Sequence, residues 1–351
     1  MDDMNDEQKR IYYHDVLKKT SNVWHENLLN NQWAIQYLEN RKISMDVANK
    51  FKLGFAVKGK SPIGKIKDIY GNKVEKEIFD EFGLLSKDHS IERYHNRIIV
   101  PYCDIEERII GFTARTIIPQ RDISNIPGKK FRPRYMTTKT PIILQTTPAS
   151  HLLYHGAKNS INDKKSIIIV EGVFDALSMH SSGFTNTIGL QGNSQRVNFD
   201  FFSQMANDDI DLVFMFDNDK SEESSKWKVL QKISINLQDE KFNKIKFVNF
   251  PQNMESKDAA DILIKHNGCD IINHLIENSL TAESQMEKML FGNIEDQNKS
   301  NSAKMKIKGI KNRCDENSYV YSTCQKMIEQ YEQKRKEFKK MNRGYVRNSI
   351  E

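Results

Sequence analysis

Residues 167–182 read IIIVEGVFDALSMHSS, and this stretch decides the fold. The apolar run 167–170 consists of β-branched residues, which is typical of a strand covered on both faces in a parallel sheet. Glu171 follows at the predicted strand end, Gly172 permits a tight turn, and Asp175 falls in the first turn of a helix. Because ligands bind outside the carboxyl ends of the strands in open α/β sheets, we expect both carboxylates to face one crevice.

Acidic residues follow two further predicted strands. The apolar run 212–216, LVFMF, leads directly into Asp217 and Asp219. After the strand-like KIKFVNF, the segment KDAADILIKH carries Asp258 and Asp261, which lie on one helix face if the helix has begun there. Carboxylates that converge in a crevice repel each other unless a cation or a raised pKa relieves the repulsion. Hard oxygen ligands of this kind suit Mg²⁺ or Mn²⁺.

The three motifs EGVFDALS, FDNDK and KDAADIL, in this order and spacing, resemble the Toprim domain of DnaG-type DNA primases of bacteria and phages. The resemblance extends over about residues 33–266. It implies an α/β protein in which a Toprim domain, with a Rossmann-like parallel sheet, accompanies a basic α+β primase subdomain and a helical carboxy-terminal region. We expect an amino-terminal helical segment, the basic subdomain, the Toprim domain and the helical region at 1–35, 36–160, 161–268 and 269–351.

Basic residues are concentrated in residues 121–140, which hold six bases and one acid, although the formal net charge of the whole chain is only +6. The loop IPGKKFRPRYMTTKT interleaves bases with aromatic residues, a composition suited to single-stranded nucleic acid. The upstream segment RYHNRIIVPYCDIEERIIGFTART predicts a hairpin. Its Arg97 and Arg115 match arginines of the primase core, and Arg134 and Tyr135 match a basic-aromatic pair. Spacing alone would equally allow Arg97 and Arg115 to be ordinary exposed strand arginines.

The resemblance implies metal-dependent nucleotidyl transfer and a set of site residues. We expect the catalytic residues to be Glu171, Asp217 and Asp219. Two or more Mg²⁺ or Mn²⁺ ions are expected on the ligands Glu171, Asp175, Asp217, Asp219, Asp258 and Asp261. Contacts with nucleotide and DNA are expected from Arg97, Arg115, Arg132, Arg134, Tyr135, Lys139, Gly192, Asn193 and Lys220.

The four cysteines are scattered and never form a C-x-x-C pair, which predicts neither a disulfide framework nor a zinc ribbon. Primases of this family commonly carry an amino-terminal zinc-binding module, but residues 1–35 contain no cysteine. We therefore expect no zinc in this chain and a zinc function that is absent, replaced or supplied in trans. A reducing cytoplasm, or a host cytoplasm for a phage protein, fits this cysteine usage. No run approaches the roughly 20 apolar residues of a membrane span.

The resemblance predicts a DNA primase, which synthesises short RNA primers on single-stranded DNA from ribonucleoside triphosphates. Its expected partners are the replicative helicase and a trans-acting zinc or single-strand-binding protein, with no membrane. Two alternatives stay open. A Toprim-type metal-dependent nuclease or phosphodiesterase would use similar acids but leaves the basic region without an obvious role. A single-strand-binding accessory protein would tolerate loss of the carboxylates, all of which this chain retains.

Overall fold

The computed structural model describes residues 4–57, 79–84, 94–104, 106–118, 134–141, 144, 151–190, 199–237, 239–265, 268–292 and 294–348. These residues belong to two compact units, which are treated one at a time. Unit 1 comprises Met1–Ser160, Gly172–Val197 and Leu263–His266, and unit 2 comprises Ile161–Glu171, Asn198–Ile262 and Asn267–Glu351. The four segments expected from the sequence stay a prediction.

Helices and strands alternate over much of the chain. In chain order the α-helices and β-strands are α1 (Asp6–Leu29), α2 (Gln32–Glu39), α3 (Met45–Lys50), β1 (Gly54–Ala56), β2 (Arg97–Cys103), β3 (Ile109–Thr116), β4 (Tyr135–Thr137), β5 (His151–Leu152), α4 (Tyr154–Lys164), β6 (Ser166–Val170), α5 (Val173–Ser181), β7 (Thr187–Leu190), α6 (Phe199–Asn207), β8 (Asp211–Met215), α7 (Glu222–Ile233), β9 (Ile245–Phe247), α8 (Ala259–Lys265), α9 (Gly268–Glu277), β10 (Leu280–Thr281), α10 (Ala282–Phe291), α11 (Gln297–Lys311) and α12 (Tyr319–Asn348). Among the described helices, none combines the length and the apolar character that crossing a membrane requires.

The long helix α1 anchors the core of unit 1. Its first turn is closed by a capping box, in which Asn5 and Gln8 exchange side-chain and backbone hydrogen bonds. Trp24 on its inner face is fully buried and meets Phe112 of β3 edge to face, with 4.9 Å between ring centroids. Gly54 at the start of β1 allows this close packing, because a Cβ there would lie 2.6 Å from Cβ of Trp24. The strand β1 can therefore lie directly against the helix.

A four-stranded antiparallel sheet, in the order β1-β2-β3-β4, forms the other half of this core. The predicted hairpin is confirmed as β2 and β3. Its turn is held by Asp104, whose carboxylate accepts hydrogen bonds from the backbone N–H of Glu106 and from the backbone and side chain of Arg108. The register places Arg115 of β3 opposite Tyr135 of β4.

Unit 1 also contains α5 and the antiparallel pair of β5 and β7. Helix α5 ends in a Schellman motif, in which Gly183 has φ +92° and its N–H bonds to the carbonyl of His180. The N–H of Phe184 bonds to the carbonyl of Met179 in the same motif. Glycine suits this position because a side chain in the left-handed region is strained.

The parallel sheet predicted from the sequence is confirmed in unit 2. Strand β6 pairs in parallel with β8, β8 pairs in parallel with β9, and the short β10 adds an antiparallel edge next to β9. The apolar residues of β6 and β8 are buried, as expected for strands covered on both faces. Phe214 at the centre stacks on Phe247 of β9, with 5.7 Å between centroids.

The helical carboxy-terminal region is also confirmed, as helices α9 to α12. Helices α11 and α12 pack against each other around buried apolar residues such as Ile307 and Met327. The hydroxyl groups of Ser300 and Tyr331 bridge the pair at 2.9 Å. Trp227 of α7 is also buried.

Candidate active site

An acidic cluster in unit 2 forms where β6 and β8 end. Glu171 follows β6, and Asp217 and Asp219 follow β8. Because Val170 and Met215 are aligned in the parallel register, the residues after them leave the sheet at the same edge. The backbone N–H of Asp217 donates a hydrogen bond to the carboxylate of Glu171. The sequence prediction that these acids converge is therefore realised for Glu171 and the Asp217 loop.

Glu171 is the member of the acidic cluster whose ionised form is costly. Its side chain is half-buried, and Oε1 is buried without a hydrogen-bond partner among the described residues. Burial raises the pKa of Glu171, the N–H of Asp217 opposes this effect, and the negative charges of Asp219 and Glu222 raise the pKa further. A buried carboxylate oxygen without a donor is costly in the ionised form, so Glu171 is suited either to hold a proton or to bind a cation.

We expect Glu171→Gln to stabilise the metal-free protein at neutral pH. A carboxyl group whose folded pKa lies above its unfolded pKa destabilises the fold progressively as pH rises through that interval. The amide removes this penalty, so the gain should be present at pH 7 and should vanish below the unfolded pKa of about 4.3. Thermal unfolding in EDTA at several pH values tests this. If the variant unfolds at pH 7 at the same temperature as the wild type, or at a lower one, the cost assigned to ionised Glu171 is contradicted.

Asn218 fixes the loop that carries the two aspartates. Its backbone N–H bonds to the carbonyl of Lys257 at 2.6 Å, and its side-chain amide bonds to the carbonyls of Met254 and Ser256. Oδ1 of Asp219 accepts hydrogen bonds from the backbone N–H of Ser221 at 2.7 Å and from its hydroxyl at 2.6 Å. Asn218, which lies between the two acids, therefore fixes the loop in place. Ser221 orients the side chain of Asp219, which is exposed.

The pair Asp258 and Asp261 occupies the start of α8. Oδ1 of Asp258 accepts a hydrogen bond from the N–H of Asp261 at 2.7 Å, and Oδ2 of Asp261 accepts one from the N–H of Lys257 at 3.2 Å. These are the contacts of a helix cap. The condition for a shared helix face is not met, because α8 begins at Ala259 and Asp258 precedes it. Sequence spacing alone does not distinguish this capping geometry from a pair of metal ligands.

The acidic cluster fits a divalent ion that is completed by substrate. Within the described ranges, no three His, Cys, Asp or Glu side chains gather into a preformed metal cage. Mg²⁺ does not require one, because it commonly binds through one or two carboxylates together with phosphate oxygens and water. The partnerless Oε1 of Glu171 supplies one oxygen of the right chemistry. The neighbouring carboxylates of Asp217 and Asp219 could supply others.

A buried lysine supports the first turn of α7, just after the acidic loop. Lys226 is only 2% exposed, and its Nζ donates to Glu222 at 2.5 Å and to Asn249 at 2.9 Å. Asn249 in turn donates to the side chain of Gln285 at 2.8 Å. Burial lowers the pKa of Lys226, and the carboxylate of Glu222 opposes this effect. This hydrogen-bond network could not be predicted from the sequence, because a lysine within a polar helix gives no signal of burial.

A second constellation lies in unit 1, and we call Arg41, Arg115, Tyr135 and Phe174 the arginine-aromatic cluster. The guanidinium carbon of Arg115 lies 4.9 Å from the ring centroid of Phe174 and 5.1 Å from that of Tyr135. Arg115 also donates a short hydrogen bond to the hydroxyl of Tyr135. Arg41 covers the ring of Phe174 at 5.8 Å. The two guanidinium groups thus lie against aromatic rings, and the ring quadrupoles attract their positive charge.

Arg115 is buried without an acidic partner in the part of the chain that the structure describes. It is 4% exposed, and its Nε has no hydrogen-bond partner. Burial lowers the pKa of Arg115, the hydroxyls of Tyr135 and Tyr37 oppose this, and the charges of Arg41 and Arg134 lower the pKa further. A buried guanidinium whose neighbours are cations rather than carboxylates is suited to an anionic ligand such as phosphate.

Arg97 and Arg134 frame the arginine-aromatic cluster. Arg97 is 3% exposed and donates from a guanidinium N–H to the backbone carbonyl of Arg134 at 3.1 Å. Arg134 itself is exposed and lies 5.9 Å from the ring of Tyr135. The alternative that Arg97 and Arg115 are ordinary exposed strand arginines is wrong, because both are buried. Arg97 braces the strand that presents Arg134 and Tyr135.

Asp175 belongs to unit 1 and lies near the arginine-aromatic cluster. It occupies the first turn of α5, as predicted, with Gly172 as the N-cap residue. A Cβ at position 172 would lie 2.1 Å from Oδ2 of Asp175, so the glycine makes room for this carboxylate. The pKa of Tyr135 is raised by burial, lowered by Arg115 and raised by the charge of Asp175. Asp175 and Arg115 therefore both act on the Tyr135 hydroxyl.

The remaining predicted residues divide into two groups. Lys139 and Lys220 are exposed. Arg132, Gly192 and Asn193 lie outside the described residues. Sequence reasoning missed Arg41 and Phe174, although Phe174 stands inside the EGVFDALS motif and an aromatic residue beside two motif acids was an available signal.

Two family models match the chain. Residues 23–155 match the DNA primase catalytic core, N-terminal domain, and residues 168–263 match a Toprim-like domain. The chain is similar to the DNA primase of Legionella pneumophila, with 27% identity over 62% of this chain and 35% of that protein. The DNA primase of Rickettsia bellii is also 27% identical, over 70% of this chain and 38% of that protein. The chain thus spans little more than a third of the length of these relatives.

Solved structures show the same fold. The zinc-binding and RNA polymerase domains of the Aquifex aeolicus primase superpose with a TM-score of 0.71 at 19% identity, covering 94% of this chain and 74% of that one. The RNA polymerase domain of the Mycobacterium tuberculosis primase DnaG superposes with a TM-score of 0.67 at 19% identity, covering 86% and 94%. A DnaG catalytic domain bound to single-stranded DNA gives a TM-score of 0.68 at 16% identity, covering 91% and 98%. The chain therefore carries, in this order, a match to the N-terminal domain of the DNA primase catalytic core and a match to a Toprim-like domain, and it has the fold of DnaG catalytic cores.

Proposed function

We propose that this protein is a DNA primase that synthesises short RNA primers on single-stranded DNA. The observation that carries the proposal is the acidic cluster, in which Glu171 and the Asp217 loop leave neighbouring parallel strands at one edge of the sheet. The match to the DNA primase catalytic core supports the substrate class proposed for this cluster. A nucleotidyl transfer needs negatively charged side chains that hold cations against a triphosphate, and the cluster offers such side chains.

In the proposed reaction a ribonucleotide 3′-hydroxyl attacks the α-phosphorus of a ribonucleoside triphosphate, the bond to pyrophosphate breaks, and the hydroxyl proton is lost. Mg²⁺ or Mn²⁺, when bound, would neutralise phosphate charge and lower the pKa of the attacking hydroxyl. Asp217 and Asp219 would hold that ion, with Asp175, Asp258 and Asp261 as further contributors. Burial raises the pKa of Glu171, which makes it a better proton acceptor than an ordinary carboxylate, and its carboxylate could instead bind an ion.

The basic residues of unit 1 would hold template and triphosphate. Arg115 offers a guanidinium without an acidic partner among the described residues, and the exposed Tyr135 beside it offers a ring for base stacking. Arg134 and Lys139 are exposed and available to phosphates, and Lys220, which belongs to unit 2, is exposed as well. We assign Arg97 a positioning role through its bond to the carbonyl of Arg134. Arg132, Gly192 and Asn193 complete the proposed contacts.

Further parts of the proposal concern organisation and partners. We propose the boundaries 1–35, 36–160, 161–268 and 269–351 for the four segments. The replicative helicase and a trans-acting zinc or single-strand-binding protein are the proposed partners, and the cytoplasm, or a host cytoplasm, is the proposed location. Helices α9 to α12 offer the helicase a candidate docking region, because they follow the Toprim-like domain.

Primer synthesis tests the proposed function directly. The protein is stripped with a strong chelator, then supplied with Mg²⁺ or Mn²⁺, single-stranded DNA and labelled ribonucleotides. We expect short RNA products that depend on both template and divalent ion, with no requirement for added Zn²⁺. Cleavage of the template without synthesis would favour a Toprim-type nuclease, and binding without either reaction would favour an accessory protein. Either result would overturn the proposal.

A further inference from the structure

Unit 1 contains a cavity of about 480 Å³ that the proposed primase chemistry does not use. It lies between α1, the end of α3 and the β2–β3 hairpin, and His155 of α4 also lines it. None of its lining residues belongs to the acidic cluster or to the arginine-aromatic cluster. Its volume falls within the range of pockets that hold nucleotide-sized molecules.

Positive charge dominates the lining of this cavity. Lys18 comes from α1, Lys50 from the end of α3 and Lys52 from the turn after it. Within the part of the chain that the structure describes, none of the three lysines forms an ion pair. The acids in the lining are Asp15, which pairs with Lys19 at 2.8 Å, and Glu107. Three lysines, one from α1 and two from the end of α3 and the turn after it, thus border one space. Arg108 also lines the cavity but pairs with Asp104 and Glu106, so Glu107 is the acid left to balance the lysines.

The side chains beneath these lysines are mostly apolar or hydrogen-bonded, whereas the buried Oγ of Ser21 has no hydrogen-bond partner among the described residues. Phe51 and Pro101 are buried in the wall, and the ring of Phe51 meets that of His155 edge to face at 5.5 Å. His14 makes a hydrogen bond with the carbonyl of Ile109 at 2.9 Å. Burial lowers the pKa of His155, Glu107 opposes this effect, and Lys50 adds to it. The cavity therefore has an apolar wall and a cationic border.

The backbone of Lys52 is in the left-handed region, as is that of Lys42, which follows α2. Lys52 has φ +51°, in the left-handed region that ends a helix and that glycine usually fills. A lysine there carries backbone strain that a glycine would avoid. Its side chain borders the cavity together with that of Lys50, whose pKa is lowered by burial. An anion in the cavity would be attracted by both ammonium groups.

We propose that this cavity is a binding site for a small phosphorylated ligand, held by Lys18, Lys50 and Lys52. Phosphate suits a border of lysines, because an ammonium group acts on it as a compact point charge with three donors. Two sources share this chemistry, inorganic pyrophosphate and a nucleotide such as ADP. The apolar wall formed by Phe51 and Pro101 would favour the second.

The test uses the full chain in EDTA, with His14 and His155 as local reporters. Histidine ring signals are followed by NMR while pyrophosphate or ADP is added, and His14→Gln and His155→Gln assign the two signals. We expect both signals to move and saturate, with tighter binding of ADP if the wall contacts the nucleoside. Equal affinity for the two probes would assign the site to the phosphate groups alone. No saturable shift with either probe would overturn the proposal.

Matched variants separate binding from backbone effects. Lys52→Gly removes the cation but suits φ +51°, so ligand affinity should fall by on the order of tenfold while thermal stability holds or rises. Lys42 has φ +57° and does not line the cavity, so Lys42→Gly makes the same backbone change as a control. Lys50→Gln should weaken binding to a similar degree as Lys52→Gly. Wild-type affinity in Lys52→Gly and Lys50→Gln, or an equal loss in Lys42→Gly, would sink the site.

Discussion

Replacing Asp217 or Asp219 by asparagine should reduce primer synthesis on the order of 10²–10³-fold, because each change removes a carboxylate from the proposed metal-binding loop. Asparagine keeps the size of the side chain and leaves the backbone N–H of Asp217 free to bond to Glu171. The Asn218 clamp to the carbonyls of Met254 and Ser256 is also untouched. The fold should therefore persist, and removal of one negative charge should hold or slightly raise stability.

The measurement is the yield of labelled RNA primers at a series of Mg²⁺ and Mn²⁺ concentrations. A lost ligand should shift the metal dependence to higher concentration as well as lower the maximum. Asp208→Asn is a matched control, because Asp208 is an exposed aspartate of the same unit, placed after α6 and away from the acidic loop. Full activity with unchanged metal dependence in both Asp217→Asn and Asp219→Asn would remove these residues from the site.

Local pattern was enough to predict the strands that organise unit 2. The apolar runs before Glu171 and Asp217 are buried parallel strands, since continuous β-branched and aromatic residues have no solvent-exposed face to offer. The start of α8 was harder to predict from the sequence. Whether an aspartate caps a helix or lies within it depends on where the backbone first turns, and Asp258 lies one residue before that point. Sequence spacing alone leaves both readings open.

Contacts between residues that are distant in the chain could not be predicted from the sequence. Arg41 follows α2, yet its guanidinium covers Phe174 of α5, and no local periodicity connects them. The burial of Arg115 was missed for a related reason, because arginine is usually exposed and its position on β3 gives no sign of the rings above it. The resemblance supplied Arg115 as a candidate. The structure supplied the neighbours that make its charge unusual.

Arg115→Gln should weaken binding of single-stranded DNA or ribonucleoside triphosphate by about tenfold or more, since hydrogen bonds between charged groups are worth roughly 1.5–3 kcal/mol. The free energy of unfolding should fall little or even rise. The wild-type guanidinium is buried with Arg41 and Arg134 as charged neighbours and has no acidic partner in the described ranges, so its charge is costly in the ligand-free protein. Loss of binding without loss of stability distinguishes a ligand-facing arginine from a packing residue.

Two further variants resolve how the cluster holds this charge. Tyr135→Phe removes the hydroxyl that accepts a hydrogen bond from Arg115 but keeps the ring, so it should reduce affinity less than Arg115→Gln. Arg115→Lys keeps the charge but loses the planar group that lies 4.9 Å from the Phe174 centroid. Its affinity for the ligand should therefore lie between the affinities of Tyr135→Phe and Arg115→Gln. Arg313→Gln, which alters an exposed arginine of unit 2, is the control.

Salt dependence gives the decisive readout for Arg115. If the guanidinium contacts a DNA phosphate, its loss should lower the slope of log affinity against log salt by about 0.7, the value for one phosphate on a single strand. An unchanged slope together with weaker triphosphate binding would assign Arg115 to the nucleotide instead of the template. Wild-type affinity for both ligands would show that the arginine-aromatic cluster is structural, and the proposed contacts of unit 1 would then rest on Arg134 and its exposed neighbours.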